Sequence, residues 1–127
     1  MPDEIDPRSP VPLYEQIAAR IRMAVAADEY RAGDALPSVR QLSAQLRVNP
    51  STVVQAYRDL ERDGFVETRH GAGTYVRAVA AEVREEERIR RARELVRKLL
   101  AEAARFGIGA AEIGRALAEE TGVASHE

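Results

Sequence analysis

Cysteine and tryptophan are both absent from this 127-residue chain, and aromatic residues make up only 5% of it. Without cysteine there can be no disulfide and no thiolate zinc site, and nothing indicates a redox compartment. No apolar run approaches the length of a membrane span. The opening segment, MPDEIDPRSP, is acidic and proline-rich and has no apolar stretch of the kind a secretory signal needs. These absences lead to the expectation of a soluble cytoplasmic protein. Lysine is nearly missing too: Lys98 is the single one among 19 basic residues. The two histidines, His70 and His126, lie far apart and form no recognisable metal constellation, so neither a metal nor a cofactor is expected. Nucleophile motifs and a phosphate-binding loop are likewise missing. Gly71 and Gly73 supply only G-x-G, which a turn explains, and no enzyme is expected.

A strong positive charge is also lacking. The formal net charge is -2. A partner rich in phosphate would normally leave a basic footprint, so any such footprint here must be local.

What is present is a regular succession of elements. Residues 1–10 carry no periodic pattern and are expected to be disordered. Leu13, Ile17, Ile21 and Val25 recur every four residues, with Tyr14, Ala18 and Ala24 widening the stripe, which predicts a helix from about Pro12 to Asp28–Glu29. Arg31-Ala32-Gly33-Asp34 reads as a turn. Ser38 and Gln41 form an S-x-x-Q capping box at the head of a second helix, whose apolar face is Val39, Leu42 and Leu46. Arg47 and Val48 make the next turn. Asn49 then caps a third helix with Pro50 in its first position, where the missing N–H costs nothing. Val53, Ala56, Tyr57 and Leu60 should bury one face of that helix, and Gly64 should end it.

Two short strands, 65–69 and 74–77, follow with Gly71-Ala72-Gly73 as the bend. The fold class expected is mostly α with a small β-hairpin: a winged helix-turn-helix domain over 11–79. A helical dimerisation region should occupy 80–127. In it, Ile89, Ala92, Val96, Leu99, Ala103 and Phe106 alternate steps of three and four, a heptad-like seam in which Ile89, Val96, Leu99, Leu100 and Phe106 are the expected contacts between two copies. A short last helix over 110–120 should turn Ile113 and Leu117 inward. Glutamates 85–87 lie at helical spacing from arginines 88, 90 and 91 and read as a solvated, ion-paired face.

The candidate site is the start of the third helix. Small polar side chains there suit entry into a DNA major groove. Amides such as Asn49 and Gln55 can pair with adenine, Ser51 and Thr52 can reach phosphates, and Val54 can touch a thymine methyl. Read as a helix cap alone, Asn49-Pro50-Ser51-Thr52 accounts for Asn49 locally but not for the complete frame of helix, turn, helix and wing. Arg40 on the second helix is a candidate to clamp a phosphate or reach a base, and Arg69, His70 and Gly71 at the hairpin tip are candidates to enter a minor groove or meet the backbone, although exposed arginines and solvated tips are common.

Tyr14-Glu15-Gln16-Ile17, Gly33-Asp34, Leu36-Pro37-Ser38-Val39-Arg40, Thr52-Val53, Ala56-Tyr57, Leu60-Glu61, Gly64 and Gly71-Ala72-Gly73-Thr74-Tyr75-Val76 together resemble the GntR family of bacterial transcription regulators, over about residues 11–79. The short tail resembles the YtrA subfamily. The resemblance implies a homodimeric repressor of a palindromic, double-stranded operator, with Arg40, Asn49 to Thr52, Val54, His70 and Gly71 at positions that reach DNA. Three residues depart from the family pattern. Arg47 stands in place of the usual turn glycine, Val54 where some members carry an arginine, and Asp28 where glycine commonly ends the first helix. The operator sequence therefore does not follow from the resemblance. Two other functions fit parts of the pattern: a winged helix used for protein contacts, and the N-terminal piece of an aminotransferase-like enzyme, which would need a large further domain. A tail this short is too small to enclose a ligand pocket, so any small-molecule effector would sit at a dimer interface or between domains, and operator binding should not require one.

Overall fold

The computed structural model describes residues 5–122. Its first helix, α1 (Leu13–Ala26), buries Ile17, Ala18, Ile21, Ala24, Val25 and Ala26. Just past its end, Asp28 takes the left-handed conformation at φ 62°, which favours glycine. Two further helices follow: α2 (Val39–Leu46), which buries Leu42, and α3 (Pro50–Arg62), which buries Val53, Ala56, Tyr57 and Leu60 and packs on both α1 and α2. Gly64, at φ 84°, reverses the chain, and β1 (Val66–Arg69) pairs antiparallel with β2 (Gly73–Val76), Val66 opposite Val76 and Arg69 opposite Gly73. Phe65, Val66 and Val76 close the core over α1 and α3.

The turn at 31–34 does more than the sequence suggested. The Arg31 N–H donates to Asp34 Oδ2 at 2.9 Å, and the Asp34 N–H donates back to the Arg31 carbonyl at 2.9 Å, which closes the turn. The chain then runs alongside β2: the Gly33 and Leu36 N–H groups donate to the Val76 and Thr74 carbonyls, and the Val76 N–H donates to Asp34. Ala35 forms a bridge with Tyr75, so the hairpin is backed by a third extended segment. No alternation of apolar and polar residues marks such a short stretch.

The expectation of disorder over residues 1–10 is corrected for 5–10. Gln16 accepts from the Asp6 N–H and donates to the Asp6 and Val11 carbonyls, and Ile5 packs against the core. One glutamine on α1 thus satisfies three main-chain groups of a segment that lacks periodicity of its own. Residues 1–4 of that expectation lie outside the described residues, as does His126.

Beyond Val79, α4 (Ala81–Arg105) begins, and its first two turns are tied to the C-terminal end of α1. Arg84 pairs with Asp28 at 2.9 Å and Arg88 donates to the Ala26 carbonyl at 2.9 Å. Cations belong at a helix C-terminus, where unpaired carbonyls concentrate partial negative charge. The chain divides after Arg88 into two compact units, 5–88 among the described residues and 89 onward. In the second unit Gly107, at φ 73°, breaks α4, and α5 (Ala110–Thr121) starts with Glu112 accepting from the Gly109 N–H. Ala103 is the buried residue of α4, and α5 buries none. Ile89, Leu95, Val96, Leu99 and Phe106 are exposed, Phe106 by 69%. Leu117, expected to face inward, is 55% exposed, and Ile113 is half-buried. A pair of helices this small offers Leu117 no second apolar layer to pack against.

Candidate nucleic-acid interface

The α2 N-terminus is held by a full capping box. The Gln41 N–H donates to Ser38 Oγ at 3.0 Å and the Ser38 N–H donates to Gln41 Oε1 at 2.9 Å. This fixes the turn that carries Arg40, which is exposed. The α2–α3 turn closes with the Arg47 and Val48 N–H groups both donating to the Ser43 carbonyl. Arg47 sits at φ 58° and ψ 48°, as its replacement of a glycine foreshadowed.

Asn49 is the N-cap of α3. Its Oδ1 accepts from the Ser51 N–H at 2.9 Å and from the Ser51 hydroxyl at 2.8 Å. That oxygen is therefore committed to the helix, and the Nδ2 hydrogens are what Asn49 offers outward. Ser51 and Gln55 are exposed and Thr52 and Val54 half-buried, while Val53 between them faces the core. Gln55 donates through Nε2 to Asp59 Oδ1 at 3.1 Å, and Arg62 pairs with the same oxygen at 3.2 Å. A carboxylate accepts only, so the Gln55 amide is oriented with nitrogen toward Asp59 and Oε1 free. The buried Asp59 is the residue that sequence reasoning missed. Its position four residues after Gln55 is the signal that could have found it.

The other end of α3 supports the hairpin. Glu61 accepts from the Thr68 N–H and hydroxyl, both at 3.2 Å. At the tip, the Arg69 guanidinium lies over the Tyr75 ring, 4.1 Å from its centre, and pairs with Glu67 at 2.9 Å. The Tyr75 hydroxyl donates to the Ala72 carbonyl at 3.0 Å. Tyr75 is a second residue missed from sequence; it stiffens the tip on which His70 and Gly71 stand exposed. Gly71 and Gly73 turn the chain at φ 76° and 116°, values that side-chain-bearing residues rarely adopt.

Behind this surface, the Tyr57 hydroxyl donates to the Pro37 carbonyl at 2.7 Å, joining α3 to the head of α2. Burial, with the neighbouring Tyr30 adding to it, pushes the Tyr57 phenol far above the usual tyrosine range, so it remains a donor. Among the described residues no group of three or more histidine, aspartate or glutamate side chains is placed to hold a metal ion. No helix among them is long and apolar enough to cross a membrane.

Three helices, a tight turn before the third, and a hairpin folded back beside it match one family model, that of bacterial regulatory proteins of the gntR family, over residues 13–76. This chain is a GntR-family protein. The match extends past the winged domain. The chain is 38% identical over 105 residues to the HTH-type transcriptional repressor YtrA of Bacillus subtilis, covering 83% of this chain and 81% of that protein. A GntR family transcriptional regulator from Listeria monocytogenes superposes with a TM-score of 0.65 at 31% identity, over 94% of this chain and 99% of the other. The DNA-binding domain of AraR, solved with its operator ORX1, superposes with a TM-score of 0.52 at 26% identity over 56% of this chain and 88% of that one. The GntR fold thus accounts for the winged unit, and the YtrA likeness includes the helical tail.

Proposed function

We propose that the chain is a sequence-specific DNA-binding transcriptional regulator that acts as a homodimeric repressor on a palindromic operator. The observation that carries this reading is the polar, exposed start of α3 beside the rigid wing. In a major groove, Asn49, Ser51, Thr52, Val54 and Gln55 meet base edges and nearby phosphates, and Arg40, Arg69, His70 and Gly71 meet the backbone on either side. The solved complex of the AraR domain with its operator supports this mode of use for the shared fold. The winged domain, 11–79, holds the DNA, and the helical region, 80–127, holds the second copy through Ile89, Val96, Leu99, Leu100 and Phe106. Four of those five, Ile89, Val96, Leu99 and Phe106, are exposed in the single chain, and Leu100 is half-buried, which leaves an apolar seam that water disfavours. A two-fold dimer presents α3 twice and therefore reads two related half-sites. The protein works in the cytoplasm as a regulator without a cofactor, and binds DNA without an added metabolite. Sedimentation of the full chain, with and without duplexes enriched from a random pool, tests this. A dimer that binds one enriched duplex is expected; a monomer, or a dimer that enriches no duplex, contradicts it.

A further inference from the structure

A cleft of about 230 Å³ lies away from the α3 surface, where the C-terminal end of α1, the 31–34 turn, the extended chain leaving the wing and the first turn of α4 meet. Asp28, Tyr30, Arg31, Arg77, Val79 and Arg84 line it. Three of these carry positive charge and one carries negative charge. That one, Asp28, is already paired with Arg84 at 2.9 Å. Arg31 and Arg77 make no ion pair among the described residues. The Arg84 Nε is buried with no hydrogen-bond acceptor among them, an expensive arrangement for a charged donor. Both unpaired guanidiniums stand on anchored main chain: the Arg77 N–H donates to the Phe65 carbonyl at 2.9 Å, and Arg31 opens the closed turn.

We propose that this cleft binds a small dianion, a phosphate or dicarboxylate, and that the bound anion regulates the DNA binding proposed above. The chemistry follows from the lining. Guanidiniums give forked, charge-assisted donors that match the oxygens of both groups. Tyr30 adds a hydroxyl kept protonated by burial first and by Asp34 and Glu29 second. The nearby end of α1 would repel an anion, but Arg88 already occupies the Ala26 carbonyl there. The volume is ample for an anion the size of phosphate or a small dicarboxylate. Arg77 belongs to the chain leaving the wing and Arg84 to α4, so one anion bridges the winged fold and the start of the helix that carries the proposed dimer seam. This regulatory role rests on the DNA-binding reading; the site itself does not.

The test uses the full chain with inorganic phosphate and with succinate, each against sodium chloride at equal ionic strength. Saturable shifts in the thermal midpoint and in the NMR signals of the Arg77 and Arg84 guanidinium groups are expected with at least one anion. Arg31→Gln and Arg77→Gln should each weaken binding by about tenfold, since one charged hydrogen bond is lost. An unchanged midpoint and unchanged spectra with both anions would overturn the site, as would equal binding by the double variant. DNA enriched from a random pool then tests regulation. An anion-dependent change in affinity that the double variant lacks supports it, and the same affinity with and without anion refutes it. If the anion binds but no DNA is enriched, the DNA-binding reading fails while the site stands. If the double variant loses DNA affinity in the absence of anion, the arginines serve the DNA backbone and the proposal fails.

Discussion

Among the described residues, two other than glycine adopt positive φ, Asp28 at 62° and Arg47 at 58°, and replacing each by glycine should move stability in opposite directions. For an L-residue with a Cβ this region costs about 1–2 kcal/mol. Glycine removes that strain but loses more backbone entropy on folding, about 0.5–1 kcal/mol. At Arg47 nothing else enters. Its side chain is exposed and makes no hydrogen bond or ion pair among the described residues. Arg47→Gly should therefore stabilise by about 0.5–1 kcal/mol, a rise in thermal midpoint of roughly 2–5 °C for a chain of this size. At Asp28 the strain is smaller, because aspartate tolerates the left-handed region, and the carboxylate holds Arg84 at 2.9 Å. Asp28→Gly gives up a half-exposed ion pair of at most about 1 kcal/mol and strips Arg84 of its partner. Its midpoint should fall by about 1–4 °C. Scanning calorimetry of the two variants beside the parent decides it. A lower or unchanged midpoint for Arg47→Gly would refute the assignment of strain to that turn.

Leu99→Glu should convert the proposed dimer to monomer in sedimentation without unfolding the winged unit, because a charge in an apolar seam is costly while the exposed position in the single chain tolerates it. Tyr57→Phe should cost about 1 kcal/mol in urea titration through loss of the bond to the Pro37 carbonyl. Because the folded Tyr57 titrates above the unfolded value of 10.0, the unfolded chain loses this proton first as the solution turns basic. Stability associated with Tyr57 is complete below that value and is lost as pH climbs above it, so the parent should weaken more steeply than Tyr57→Phe in alkaline solution. Asp59→Asn removes the pure acceptor that orients Gln55, so it should broaden the selected DNA motif at the position that Gln55→Ala broadens, with each costing roughly 1–3 kcal/mol on the preferred site.

The helices and their caps were legible because each rests on local rules. The Ser38–Gln41 box, the Asn49-Pro50 start and the Gly64 stop all appear where those residue types place them. The wing was legible through β-branched and aromatic residues around two glycines. What escaped depends on contacts distant in sequence. Gln16 ordering residues 5–10, Ala35 joining Tyr75, and Arg84 and Arg88 closing the end of α1 carry no local pattern. The same holds at the candidate site. Its exposed amides were visible from composition and helical position. Their committed atoms, Asn49 Oδ1 toward Ser51 and Gln55 Nε2 toward Asp59, depend on side-chain geometry. Leu117 was placed inward on periodicity alone, which marks an apolar face and does not supply the surface that covers it.

In the proposed function, α3 reads base edges in two symmetric half-sites. Selection of bound duplexes from a random pool by the full chain, repeated at two salt concentrations and with Arg69→Ala, tests it most directly. A palindromic motif is expected for the parent. The same motif is expected for Arg69→Ala, with a salt slope lower by about two for a dimer, one phosphate contact in each half. Enrichment of a motif without two-fold symmetry, or of no motif at all, would contradict it.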